Sequence, residues 1–476
     1  MSTINSDIIN TKNSENNSIK ENNKINEIYN NNNVNNDEEE ESPPYYKLFI
    51  YSDTGSCIYK LKTKDLKNIS NKDINQNDSI EEQEDSEEGI DKDLGAIQGI
   101  IQAVFFTPLD INCTVHMIST DVGLLSYKEY SYEKNMILLA LIFPNYYSDE
   151  TLSHRISQLL LDFIYNYLLM NIGKKNLYRF NNSMEVDYLK KIINIYSYGI
   201  HYILNNHSSL NFLLKAEKKS QIDKDTIYSI KHYMEKFKKN IKKDILCITI
   251  NNNLVWATSE WLNINITDRI LFLLISKIFC SSDIIELPIY FTKTLLEDEG
   301  LGLNPYKLII INLMKNTKLL IVSDNDLDIE KFDFSIFDDF FISRITQMKF
   351  ISTFENDVLD TYLKAAVVHN KFLKSYKILG NPELEQVFQN FLINNIFSNF
   401  LFDEDNMSDQ FYVKDNNYYI FYYYRINALC FLLLFDKDTS FDDINTVIAT
   451  LKTLKDSFDN RDNYKDINDE KFFSIK

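Results

Sequence analysis

Polar and apolar positions divide the chain into a polar opening and a long patterned stretch. Residues 1–44 are rich in Asn, Ser and Glu and are expected to form a disordered tail, because they hold too little apolar surface to offset chain entropy. From residue 45 the pattern alternates between short apolar runs and helical periodicity. Residues 45–51 and 57–61 predict two strands turned by Asp53-Thr54-Gly55. A polar, acidic insert covers about 63–92. Residues 94–106 predict a helix stopped by Pro108. Three strands are expected at 111–118, 124–132 and 136–143, the last pair turned by Glu133-Lys134-Asn135. Ser148-Asp149-Glu150 then opens a long helix to about 172, with Leu152, Ile156, Leu159, Leu160, Phe163, Ile164 and Tyr167 on one broad face.

The resulting order, β-β-α-β-β-β-α, recurs. Strands are expected at 245–250 and 254–257 across Asn251-Asn252-Asn253, then a helix over 267–280. Strands at 285–291, 307–314 and 318–322 follow, and a helix over 330–346. A looser third copy has one or two strands in 363–379, a helix over 382–399, a hairpin of 418–424 with 428–435, and a helix to about 458. The fold class is therefore α/β in the α+β sense: three tandem modules, each an antiparallel sheet carrying helices. Expected boundaries are 45–175, 244–350 and 351–460, with a helical connector at 176–243 and a polar tail at 461–476.

Composition supports a sizeable core. Among 476 residues, 44% are hydrophobic and 13% aromatic, with only 10 Gly and 7 Pro. The formal net charge of −19 disfavours passive binding to nucleic acid or to an anionic bilayer, although it leaves room for local basic patches. The five cysteines have no CxxC spacing and read as reduced core thiols of a cytosolic protein. No apolar run approaches the roughly 20 residues that span a bilayer.

Candidate chemistry is sparse. The sequence contains no GxxxxGK[ST] loop, HExxH or GxSxG, and the six histidines have no metal-ligand spacing. Neither a cofactor nor a metal is expected. Asp324, Asn325, Asp326 and Asp328 resemble a calcium loop only superficially, since Ile329 occupies the position that needs Gly; a capped strand-to-helix loop accounts for them better. Lys174-Lys175 and the Lys-rich segment 236–243 suit either a solvated helix face or attraction to a phosphoinositide surface or an acidic partner. Gly95, Gly99 and Ala103, four residues apart, form a smooth stripe on the first helix. It serves either close packing on the module's own sheet or a helix contact with a second protein.

The hairpin Phe49-Ile50-Tyr51-Ser52-Asp53-Thr54-Gly55-Ser56-Cys57-Ile58-Tyr59, the helix Leu94-Gly95-Ala96-Ile97-Gln98-Gly99-Ile100-Ile101-Gln102-Ala103 and the connector Asn206-His207-Ser208-Ser209-Leu210-Asn211-Phe212-Leu213 carry a resemblance. Together with the threefold element order, they resemble the triple-longin family of the vacuolar fusion protein Mon, the Fuzzy planar-polarity protein and the Hermansky–Pudlak complex subunits. The segments 125–130 and 256–261 look at least as much like the Fuzzy branch. The Mon-like reading implies a subunit of a Rab guanine-nucleotide exchange complex in endosomal or vacuolar traffic and membrane fusion. It would pair with a second longin-containing protein, act on a small Rab-type GTPase, and reach the membrane peripherally through partners. The Fuzzy-like reading implies a scaffold or effector in a ciliogenesis or planar-polarity complex, without exchange activity. In both, the chain would be cytoplasmic and would work through contacts rather than side-chain catalysis.

Overall fold

A computed structural model describes residues 46–62, 99–101, 103, 117–120, 123–144, 150–220, 222–241, 245–279, 282–291, 305–323, 334–347, 357–393, 410–414, 419–426 and 429–458. The expected tails at 1–44 and 461–476, the acidic insert 63–92, Gly95 and the loop Asp324–Asp328 lie outside the described residues.

The first sheet holds β1 (Lys47–Ser52), β2 (Cys57–Lys62), β3 (Met117–Thr120), β4 (Gly123–Tyr132) and β5 (Asn135–Phe143) in the order β2-β1-β5-β4-β3. All of its pairings are antiparallel. The central strands β1 and β5 are almost continuously apolar because both faces are covered. Period-2 alternation then sorts their side chains. Leu48, Ile50, Leu139 and Leu141 face a large core shared with the helix α1 (Glu150–Ile172). Phe49, Tyr51, Leu138, Ala140 and Ile142 face a smaller cluster that contains Ile101.

Four helices follow α1: α2 (Lys174–Leu177), α3 (Ser183–Ile195), α4 (Ser197–Asn205) and α5 (Leu210–Leu213). The two-residue strand β6 (Glu217–Lys218) and the helix α6 (Lys224–Ile241) complete the stretch between the sheets. The segment expected to be a helical connector thus also supplies a strand. Two residues carry no periodic signal, so β6 was invisible to pattern reading. Nor is the segment a simple linker: Ile230, Met234 and Phe237 of α6 pack on the second sheet.

That sheet comprises β7 (Ile245–Ile250), β8 (Asn253–Ala257), β9 (Ile284–Tyr290), β10 (Pro305–Met314) and β11 (Thr317–Ser323), ordered β8-β7-β11-β10-β9. Asn251 and Asn252 take φ of 51° and 61° in the β7–β8 turn, the left-handed pair that a two-residue hairpin needs. The short helix α7 (Ser259–Leu262), capped by Thr258, precedes α8 (Ile266–Ile278), capped by Asn265. The helix expected over 330–346 is shorter: a 3-10 turn at Phe334–Ile336 leads into α9 (Asp339–Thr346), which starts where the Asp338 side chain accepts from the Phe341 amide.

The helix α10 (Asp357–Tyr362) introduces the third sheet: β12 (Ala365–Asn370), β13 (Ser375–Gly380), β14 (Gln410–Lys414), β15 (Tyr419–Ile426) and β16 (Leu429–Asp436). Its order is β14-β15-β16-β12-β13, with β6 added in parallel at the β13 edge. The 363–379 segment resolves into two strands. β14 is an addition to the expected elements, a five-residue edge strand whose apolar run is only Phe411-Tyr412-Val413. A 3-10 turn (Pro382–Leu384) and α11 (Glu385–Phe391) occupy the start of the expected 382–399 helix. The terminal helix α12 (Phe441–Phe458) packs Ile444, Val447, Ile448 and Leu451 on this sheet.

The architecture is α+β, with three mainly antiparallel sheets whose five antiparallel strands share one order. The hairpin strands come first and the last strand of each following meander inserts beside the first hairpin strand. Apolar contacts run without a break from α1 and the first sheet, through α8 and the second, to Phe388 and Phe421 in the third. Among the described residues, no helix is long and apolar enough to cross a membrane.

Candidate functional site

Polar groups with perturbed environments are the first place to look for chemistry. The most buried set forms around Glu217. After α5, Lys215 turns the chain through a left-handed conformation and β6 begins. Its backbone is laced between two sheets: Glu217 N donates to Lys374 O (2.9 Å), Lys219 N to Tyr376 O (2.8 Å) and Ser220 N to Leu254 O (2.9 Å). The Glu217 carboxylate accepts from Trp261 Nε1 (3.1 Å) and Arg269 Nη1 (2.7 Å). Arg269 Nη2 also reaches Leu373 O at 3.5 Å. Burial lowers the neighbouring Lys219 ammonium to about 8, against the opposing pull of Glu217.

Glu217 and Trp261 are wholly buried and Arg269 is 2% exposed, so no substrate reaches these groups. The arrangement is a clasp joining β6 to α7 and α8 of the second sheet and to the β12–β13 loop of the third. Sequence reading singled out the Trp256–Trp261 segment but not its partners. Glu217 and Arg269 stand 52 residues apart with no local motif between them.

Other polar pairs are equally closed. Ser126 Oγ and His154 Nδ1 lie 3.1 Å apart, but Ser126 is fully buried and cannot serve as an accessible nucleophile. His207 meets the Tyr46 hydroxyl at 2.8 Å inside an aromatic cluster with Phe143. No group of three or more His, Cys, Asp or Glu able to hold a metal occurs among the described residues. A polar groove of about 660 Å³ opens at the turns of the second sheet, lined by Asn251, Asn252, Lys277, Asp283, Lys315 and Lys318 among others. Lys277 is engaged there with Tyr202, whose hydroxyl lies 2.6 Å away.

The stripe proposed from sequence is divided by the structure. Gly95 is outside the described residues, while Gly99 and Ala103 are exposed. A side chain built on Gly99 would meet no atom within 4 Å outside its own turn, so packing on the module's own sheet does not require glycine here. Ile101 instead supplies the sheet contact, and Ile100 is 38% exposed.

The second module shows what this position is used for. Its corresponding helix, α8, lies between the second and third strands of its sheet in chain order. Eight consecutive residues, Arg269 to Ser276, are buried. A helix packed on one sheet alone buries a single stripe. α8 is enclosed because α1, α4 and β6 also pack against it. The same position in the first module is uncovered among the described residues.

The basic segments are spread rather than gathered. Lys174 sits 4.5 Å from the centre of the Tyr132 ring, and Lys175 is exposed. Lys238 pairs with Glu260 at 3.5 Å, Lys236 and Lys239 are exposed, and 242–244 lie outside the described residues. No protein-family model and no curated protein matches the chain.

Proposed function

We propose that this chain is a triple-longin-type subunit of a Rab guanine-nucleotide exchange complex in endosomal or vacuolar traffic and membrane fusion. It works through protein surfaces, paired with a second longin-containing chain, and uses no cofactor. The observation that carries the reading is the strand order repeated in all three sheets. In support, the exposed residues Gly99 and Ala103 fall between the second and third strands of their sheet in chain order, as α8 does in the second module. A GTPase regulator of this kind needs shaped surfaces rather than a nucleophile or base.

The experiment is purification of the chain with its co-eluting partner, followed by nucleotide release from a panel of Rab GTPases. Acceleration of one member supports the reading; no acceleration of any member counts decisively against it. A Fuzzy-type scaffold without exchange activity is the alternative. The Trp256–Trp261 likeness that favours it now has a structural use, since Trp261 belongs to the buried clasp.

A further inference from the structure

Helix α3 carries two apolar faces. Leu189 and Ile193 point inward and are buried. On the opposite side, Met184, Tyr188 and Ile195 are 83%, 62% and 70% exposed. With Lys191 they fall at i, i+4, i+7 and i+11, a continuous ridge about 16 Å long. Single exposed apolar residues are ordinary, but an aligned set on one helix marks a contact surface.

Charge argues for the identity of the occupant. Residues 174–195 carry five cations (Lys174, Lys175, Arg179, Lys190 and Lys191) against two carboxylates, Glu185 and Asp187, in a chain whose net charge is −19. Both carboxylates are already engaged: Glu185 with Arg179 at 2.7 Å and Asp187 with Lys190 at 3.9 Å. Lys175 and Lys191 have no ion pair among the described residues. Shape argues the same way. The ridge is one convex helix, which a fluid headgroup layer can accept directly, whereas a protein would have to supply a matching groove. Tyr and Lys suit this boundary because each joins an apolar body to a polar tip.

We propose that α3 is a membrane-contacting helix that seats this chain directly on an anionic bilayer surface, with Met184, Tyr188 and Ile195 entering the headgroup boundary and Lys191 meeting lipid phosphates. The inference does not depend on the exchange reading.

The test is flotation of the full chain with vesicles of phosphatidylcholine alone and of phosphatidylcholine with phosphatidylserine. The chain is expected to float with the anionic vesicles, less so at high salt, and not with the neutral ones. Ile195→Asp is expected to weaken vesicle partitioning by at least about tenfold, and Lys191→Glu by about fivefold or more. Both positions are exposed, so thermal unfolding should be unchanged in each variant and separates lost binding from lost folding. Failure of the native chain to float, or equal flotation of both variants, overturns the proposal. So does loss of a co-purifying protein from these variants with vesicle binding intact, which would make the ridge a protein interface. Nucleotide release measured without lipid is untouched by these outcomes and reports separately on the exchange reading.

Discussion

Glu217 and Arg269 form a 2.7 Å ion pair with almost no solvent access, and they belong to different parts of the fold. Glu217 stands on the strand that bridges the second and third sheets; Arg269 stands on the helix packed between the first and second. Breaking such a pair from one side leaves an uncompensated buried charge, at a cost of about 3–5 kcal/mol. Arg269→Met is therefore expected to lower the denaturant midpoint of the full chain substantially. The double variant Glu217→Gln, Arg269→Met should recover part of the loss. A single-variant loss below about 1 kcal/mol would show that the pair is not the clasp described here.

His369 sits in β12, where burial and then the charges of Lys371 and Lys374 lower its pKa to about 3. Its Nε2 has no hydrogen-bond partner among the described residues. The imidazole is thus neutral in the fold, while the unfolded chain protonates it below the ordinary value of about 6.5. Unfolded chain then binds more protons than folded chain, so the contribution is fully present above about pH 6.5 and is lost as pH falls toward 3. The slope from this one group approaches about 1.4 kcal/mol per pH unit. Unfolding free energies measured between pH 7 and 4 should show a shallower acid limb in His369→Leu than in the native chain. Identical limbs would contradict the assignment.

Gly199 of α4 lies against the Tyr167 ring of α1, and a methyl group placed there would overlap the phenol itself. Gly199→Ala is expected to cost about 1–3 kcal/mol, the usual range for overpacking, read as a lower thermal unfolding temperature. Gly99→Ala, in open space, should be neutral or slightly stabilising, since alanine favours helix by about 1 kcal/mol. Equal effects at the two positions would argue against the α1–α4 packing.

The repeated architecture was legible because its signals are local. Apolar runs such as those of β5, β11 and β16 are long enough to be read singly, and Asn251-Asn252 and Glu133-Lys134 announce their turns. What escaped reading depends on tertiary partners. β6 exists because β13 offers it an edge, and its two residues favour no strand alone; β14 has strand formers in Phe411-Tyr412-Val413, but the run is too short to stand out. The clasp escaped for the same reason, since Glu217 resembles any charged loop residue until Trp261 and Arg269 converge on it. The α3 ridge was hidden differently. Its helix is apolar on both sides, and only the fold decides which side the core leaves uncovered.

The central proposal, that the exposed Gly99 and Ala103 positions receive a second longin-type chain, is tested most directly by native purification and identification of the co-purifying protein. Gly99→Leu serves as the control, because the position is exposed and a Cβ there meets no atom within 4 Å, so stability should stay within about 1 kcal/mol. The account predicts a stoichiometric longin-containing partner that is lost from Gly99→Leu while the variant remains folded. A chain that purifies alone, or a partner retained equally by the variant, would contradict it.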